Sequence, residues 1–134
     1  MSVPTSLTEQ NRAIVEAVYE ATNKGDVEGA LSLFSDDVTI DEPLFLPFGK
    51  LYRGKAEFIA LAPVLQNYLD VASIKLHYII ADGDRVAACV GIPDRETGEL
   101  TRFIEQFTLK DGKITENLIF YNDAGTLVDK PKVV

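Results

Sequence analysis

The chain has 134 residues, of which 46% are hydrophobic and 25% charged, with nine glycines and six prolines. That is the make-up of one globular domain spanning residues 1–134, and it excludes disordered and collagenous chains. Thirteen Lys and Arg stand against 21 Asp and Glu, a formal net charge of −8. A polyanion is bound by clustered basic residues that neutralise its phosphates, and no such cluster occurs here, so neither nucleic acid nor a membrane surface is an expected partner.

The single cysteine, Cys89, excludes an internal disulfide and a cysteine-based zinc site, and its apolar setting reads as an inert thiol. Met1-Ser2-Val3-Pro4-Thr5-Ser6 lacks the charged start and apolar run of a leader peptide. No stretch approaches the ~20 apolar residues of a membrane span. The expected location is the cytoplasm.

In chain order, Ser6-Leu7-Thr8-Glu9 fits a capping box, and Ile14, Val15, Val18 and Ala21 follow at helical spacing until Gly25. Asp26 can cap a second helix whose Val27, Ala30, Leu31 and Phe34 share a face, ended by Ser35-Asp36-Asp37. Val38–Glu42 alternates as a short strand, and Pro43 stops it. Leu44-Phe45-Leu46-Pro47-Phe48-Gly49 is an apolar loop that should fold over something, since exposing it is costly. A third helix starts near Lys55 and carries Phe58, Ile59 and Ala62, with Pro63 expected to kink it or start a new turn. Four strand-like runs follow at Val71–Ala81, Arg85–Ile92, Leu100–Lys110 and Lys113–Tyr121, joined by turn-rich links such as Asp82-Gly83-Asp84 and Asp111-Gly112. Such links imply an antiparallel meander, and helices followed by a meander imply an α+β fold with the helices on one face of the sheet.

Strand alternation singles out two residues. Val38, Ile40 and Glu42 share the apolar face of the first strand, while Asp41 points the other way. Phe103, Glu105, Phe107 and Leu109 share the apolar face of another. Both glutamates are thus carried toward the interior, where ionisation is costly and two carboxyls in one cavity split their pKa values. A base and a neutral donor result, the pair needed to remove a proton beside a carbonyl and stabilise the enolate. The plainer readings are that Glu42 sits at a wet rim and that Glu105 pairs with Arg102, Arg53 or backbone. His77, Tyr19, Tyr52 and Tyr121 are further candidates to line a cavity, although a lone strand histidine is more often structural. No metal-ligand spacing, dinucleotide fingerprint or phosphate-cradling glycine loop is present, so no cofactor is expected.

Asn23-Lys24-Gly25-Asp26 through Leu33-Phe34-Ser35-Asp36-Asp37-Val38 resembles the "N-x-G-D … L-F-x-x-D-V" signature of the SnoaL-like, ketosteroid-isomerase-like group of the nuclear transport factor 2-like superfamily. Tyr52-Arg53-Gly54 and Asp111-Gly112-Lys113-Ile114 extend the likeness, and Leu44–Gly49 resembles an "E-P-x-x-L-P-[YF]-G" stretch of some members. The resemblance implies a cone: a curved antiparallel sheet wrapped around three N-terminal helices, with a pocket at the open end, commonly as a homodimer through the sheet. It places Glu42-Pro43 where ketosteroid isomerases carry their general base and Glu105 near their protonated oxyanion-binding carboxyl. Their oxyanion-binding tyrosine matches Val18 here, with Tyr19 one step off, about 100° round the helix. The acidic residue of polyketide cyclases is replaced by Leu118-Ile119-Phe120. The expectation is an acid/base enzyme acting on a small apolar carbonyl compound, with Glu42 as base, Glu105 as donor, and Val18, Tyr19, Phe45, Tyr52, Phe58, His77, Phe103 and Tyr121 around the substrate. A binding protein without turnover and a dimerising scaffold with a filled cone are the alternatives.

Overall fold

Ser6 opens the first helix as its sequence predicts, its hydroxyl accepting the Glu9 N–H at 3.1 Å. The computed structural model describes residues 6–134; residues 1–5, on which the expectation of no leader peptide largely rests, lie outside them. The elements run α1 (Leu7–Asn23), α2 (Val27–Leu31), β1 (Phe34–Asp41), β2 (Leu51–Arg53), α3 (Gly54–Gln66), a 3₁₀ turn (Val71–Ser73), β3 (Lys75–Asp82), β4 (Arg85–Pro93), β5 (Leu100–Lys110), β6 (Lys113–Asp123) and a second 3₁₀ turn (Gly125–Asp129). No helix among the described residues is long and apolar enough to cross a membrane.

The sheet order is β2-β1-β6-β5-β4-β3. The expected meander is present from β3 to β6, and its tightest link, Asp111-Gly112, has both residues at positive φ, as a two-residue hairpin turn requires. The long step back to the start is different, since β1 lies parallel to β6. Register shifts interrupt the β1–β6, β3–β4 and β5–β6 ladders. Each such irregularity bends its strand, so the sheet curls around the helices. α1 packs on β3 and β4, and α3 on β1 and β2. The core between them includes Val15, Val38, Leu46, Phe48, Val86 and Ile114, all closed to solvent.

Five local expectations change. β1 begins at Phe34 and not Val38, because α2 ends after five residues and Phe34 pairs with Ile114 of β6. Ser35-Asp36-Asp37, which resembles a helix terminator, instead falls in the stretch where the β1–β6 register shifts. The strand β2 carried no alternation signal because it is three residues long; it is fixed by pairing Ile40 with Tyr52. α3 runs through Pro63 for three more residues. The ring removes the N–H that would bond the Ile59 carbonyl, and the helix tolerates that loss near its end. Val71–Ser73 is a 3₁₀ turn and not strand.

The apolar loop does fold inward. Leu46 and Phe48 are fully buried, whereas Leu44 and Phe45 stay exposed. Its carbonyls are tied from two sides: the Tyr52 hydroxyl donates to Phe48 O at 2.5 Å, and the Lys132 ammonium reaches the carbonyls of Leu44, Leu46 and Gly49 at 3.2, 3.1 and 2.6 Å. A side chain at Gly49 would begin 1.9 Å from Pro43 O, a backbone atom with no slack. Gly49→Ala is expected to destabilise the protein by about 1–3 kcal/mol in urea unfolding.

Candidate functional site

Glu42 follows the last residue of β1, its N–H held by Lys50 O at 3.1 Å. Inward parity continues through it: Ile40 and Glu42 are buried, while Asp41 is exposed. Glu105 stands in mid-β5, opposite Ala88 on one side and Ile119 on the other. The alanine leaves room. Both carboxyls line one cavity of about 130 Å³, whose walls are otherwise almost wholly apolar, among them Val18, Phe34, Ile40, Leu61, Phe103 and Ile119.

Hydrogen bonding separates the two carboxyls. Tyr19 Oη donates to Glu105 Oε1 at 2.9 Å, and Asn117 Nδ2 donates to Glu105 Oε2 at 2.8 Å. Donors on both oxygens stabilise the anion. Glu42 has none: its Oε2 is buried without a partner among the described residues, and so is Asn117 Oδ1. Burial first, then the charges of Glu105 and Asp41, push the Glu42 carboxyl up to about 8. Burial also raises Glu105, but the Asn117 and Tyr19 hydrogen bonds pull it back. The two donors favour the charge on Glu105 over Glu42, the reverse of the resting roles that the resemblance implies.

The phenols respond to the same field. Burial lifts Tyr19 and Tyr121 well above the ordinary tyrosine range, with neighbouring carboxylate charge adding to it. Both stay neutral donors. Tyr121 faces Phe103 across the β5–β6 ladder and stacks on it at 4.8 Å, and Phe45 meets its edge at 6.4 Å.

Of the expected wall residues, Val18, Tyr19, Phe58, Phe103 and Tyr121 line the cavity with the two glutamates. Phe58 packs edge-on against Phe34 at 4.9 Å. Tyr19 reaches the site although it is one step from the matching helical position, because its ring is long enough to turn in beside Val18. Three residues lie elsewhere. Tyr52 is buried under the apolar loop and spends its hydroxyl on Phe48 O. Phe45 borders a separate shallow depression with Pro43 and Leu118. His77 is exposed on the edge strand β3, at the bulge between Leu76 and Tyr78. Sequence reasoning missed Asn117. Its signal was there: on β6 it shares parity with the inward Ile119 and Tyr121, a polar side chain in an apolar row. Among the described residues, no group of three or more His, Cys, Asp or Glu is arranged to hold a metal ion.

The profile of the SnoaL-like domain family matches residues 15–117. Among solved structures, the chain superposes on Bal32a from a soil-derived mobile gene cassette with a TM-score of 0.76 at 18% identity, covering 89% of this chain and 94% of that one. A candidate polyketide cyclase of Xanthomonas campestris pv. campestris gives 0.69 at 25% identity, with 87% and 93% covered. A candidate ketosteroid isomerase of Kribbella flavida gives 0.71 at 21%, with 88% and 82% covered. Another neighbour, from Burkholderia pseudomallei, is an NTF2-like protein of unknown function. The fold is NTF2-like. No curated protein matches the chain.

Glu42 also makes stability depend on pH. Its folded pKa lies above the unfolded carboxyl value, so the folded state binds more protons between the two, and stability falls as pH rises through that window. Between pH 5 and pH 8 the loss is roughly 3 kcal/mol at ~1.4 kcal/mol per pKa unit. Chemical unfolding of Glu42→Gln is expected to show a much flatter profile over the same range.

Proposed function

Because the chain belongs to the SnoaL-like domain family, we propose that it is a cofactor-free acid/base catalyst acting on a small, largely apolar carbonyl compound bound in the cone. The observation that carries this is the asymmetric pair: a buried, unpartnered Glu42 carboxyl beside a Glu105 carboxylate held by two donors. A carbonyl oxygen placed against Glu42 receives its proton or a strong hydrogen bond. The Glu105 carboxylate, fixed in orientation by Tyr19 and Asn117, takes the proton from the adjacent carbon. The resulting enol is then reprotonated or captured by an internal electrophile. Two structural neighbours carry the names of a candidate polyketide cyclase and a candidate ketosteroid isomerase.

Cavity size narrows the substrate. About 130 Å³ is close to the ~150 Å³ of apolar void that holds one benzene ring, so the reacting end is a single ring or a short branched chain. A filled-cone scaffold would leave no such hollow. A non-catalytic binder would keep the hollow without the chemistry, and the experiment below separates the two.

Cyclohexanone in D₂O is a suitable probe, because exchange of its α-protons reports enolisation without any product being assumed. The native protein is expected to accelerate exchange above the buffer rate. Glu105→Gln should lose roughly 10²–10⁴-fold of that acceleration. Glu42→Leu should lose a comparable factor, and Glu42→Gln, which keeps a donor, should lose less. In the native protein the rate should fall above about pH 8, where Glu42 gives up its proton. Exchange equal to buffer would leave the binding protein as the reading.

We also propose that a second copy of the chain covers the outer face of the sheet. Tyr78, Cys89, Ile104 and Phe120 are consecutive register partners across β3, β4, β5 and β6, forming one apolar row. Tyr78, Ile104 and Phe120 are exposed. Ile104→Lys is expected to convert a dimer to a monomer in sedimentation velocity.

A further inference from the structure

The helix side of the cavity holds a second apolar space. It lies on the surface between the end of α1, α2, α3 and the first 3₁₀ turn, with a volume of about 180 Å³. Val27, Leu31, Ile59, Ala62 and Ala72 belong to its walls alone, while Thr22, Ala30, Phe58, Leu65 and Val71 line both spaces. One layer of side chains therefore separates the inner cavity from the outer groove. The groove is apolar yet wet: Val27 and Ile59 at its walls are 59% and 52% exposed. Exposed aliphatic side chains bordering a concave surface mark a place that takes an apolar occupant.

The groove walls are also the helices least committed to the core. α2 has no buried residue, and α3 has only Leu61, whereas α1 buries Asn11, Val15, Val18 and Tyr19. Pro63 deprives the Ile59 carbonyl, on the groove, of its helical donor. The partition itself is thin. Ala30 contributes one methyl, and Phe58 is half-buried and held by its edge-on contact with Phe34. The opposite end is built otherwise: there the cavity shares only Ile119 and Tyr121 with the surface depression, and Tyr121 is pinned between Phe103 and Phe45.

We infer that the cavity and the α2–α3 groove form one binding tunnel, with Phe58 as its gate, and that the ligand is an elongated molecule with a carbonyl head at the glutamates and an unbranched apolar tail in the groove. The tunnel has more than twice the volume of the inner cavity. Its head end offers the Glu42 carboxyl and the free Asn117 Oδ1, so a head that also carries a donor satisfies both. This takes from the proposed function only the placement of the carbonyl; occupancy needs no turnover.

The test is ligand-observed NMR titration with cyclohexanone and its 4-n-alkyl derivatives from methyl to hexyl. Affinity is expected to rise roughly fourfold per methylene once the tail enters the groove. Ala62→Trp fills the groove without touching the inner cavity, and it should flatten the series while leaving cyclohexanone binding unchanged. Ile59→Glu, at an exposed position that cannot unfold the core, should flatten it too. Phe45→Ala, at the opposite end, should leave the slope intact. No saturable binding, a flat series in the native protein, or a slope lost in Phe45→Ala but kept in Ala62→Trp and Ile59→Glu would overturn the tunnel. A steep series with no α-proton exchange would overturn the catalytic reading and leave the tunnel standing.

Discussion

Two carboxyl groups in one apolar hollow repel each other and are each costly to ionise. Everything else at the site follows from how the protein breaks the tie. Tyr19 and Asn117 come from opposite walls, one from α1 and one from β6, and both donate to Glu105. Glu42 is left bare at the end of β1, where Pro43 ends the strand. The donors favour the charge on Glu105. Burying polar groups this way destabilises the fold unless they are paired, and an unpaired buried carboxyl is the kind of local violation that proteins keep at functional sites.

The scaffold holds the pair from several sides. Phe103, Glu105 and Phe107 sit on a central strand paired along its length to β4 and β6. The turn after Glu42 is clasped by Tyr52 and by Lys132 near the C-terminus, which hold the apolar loop by its carbonyls. The ends of α2 and α3 are tied in the same way, by Lys113 reaching the Ser32 carbonyl and Arg95 the Gln66 carbonyl.

The reading of the glutamates shows how much of a site parity carries. Alternation around Ile40 and between Phe103 and Phe107 is local and strictly two-residue, so the inward side was legible for Glu42 and Glu105 without any knowledge of neighbours. Asn117 obeys the same rule on β6, where it stands between a register shift and the inward Ile119. Tyr52 and His77 lie away from the cavity for a different reason. Their surroundings are set by a three-residue strand and by a bulge, features that exist only through pairing with distant residues.

Sequence alone determined the α+β class, the caps of the first two helices, the meander with its Asp111-Gly112 turn and the inward face of the two carboxyls, because caps, turns and alternation are properties of residues a few positions apart. It did not determine which glutamate the donors reach. That choice belongs to Tyr19 and Asn117, whose donors reach Glu105 across 86 and 12 residues of chain, and to the absence of any donor aimed at Glu42 among the described residues. A pKa in a low-dielectric hollow is set by the few groups within a few ångströms, and only the folded chain decides which groups those are.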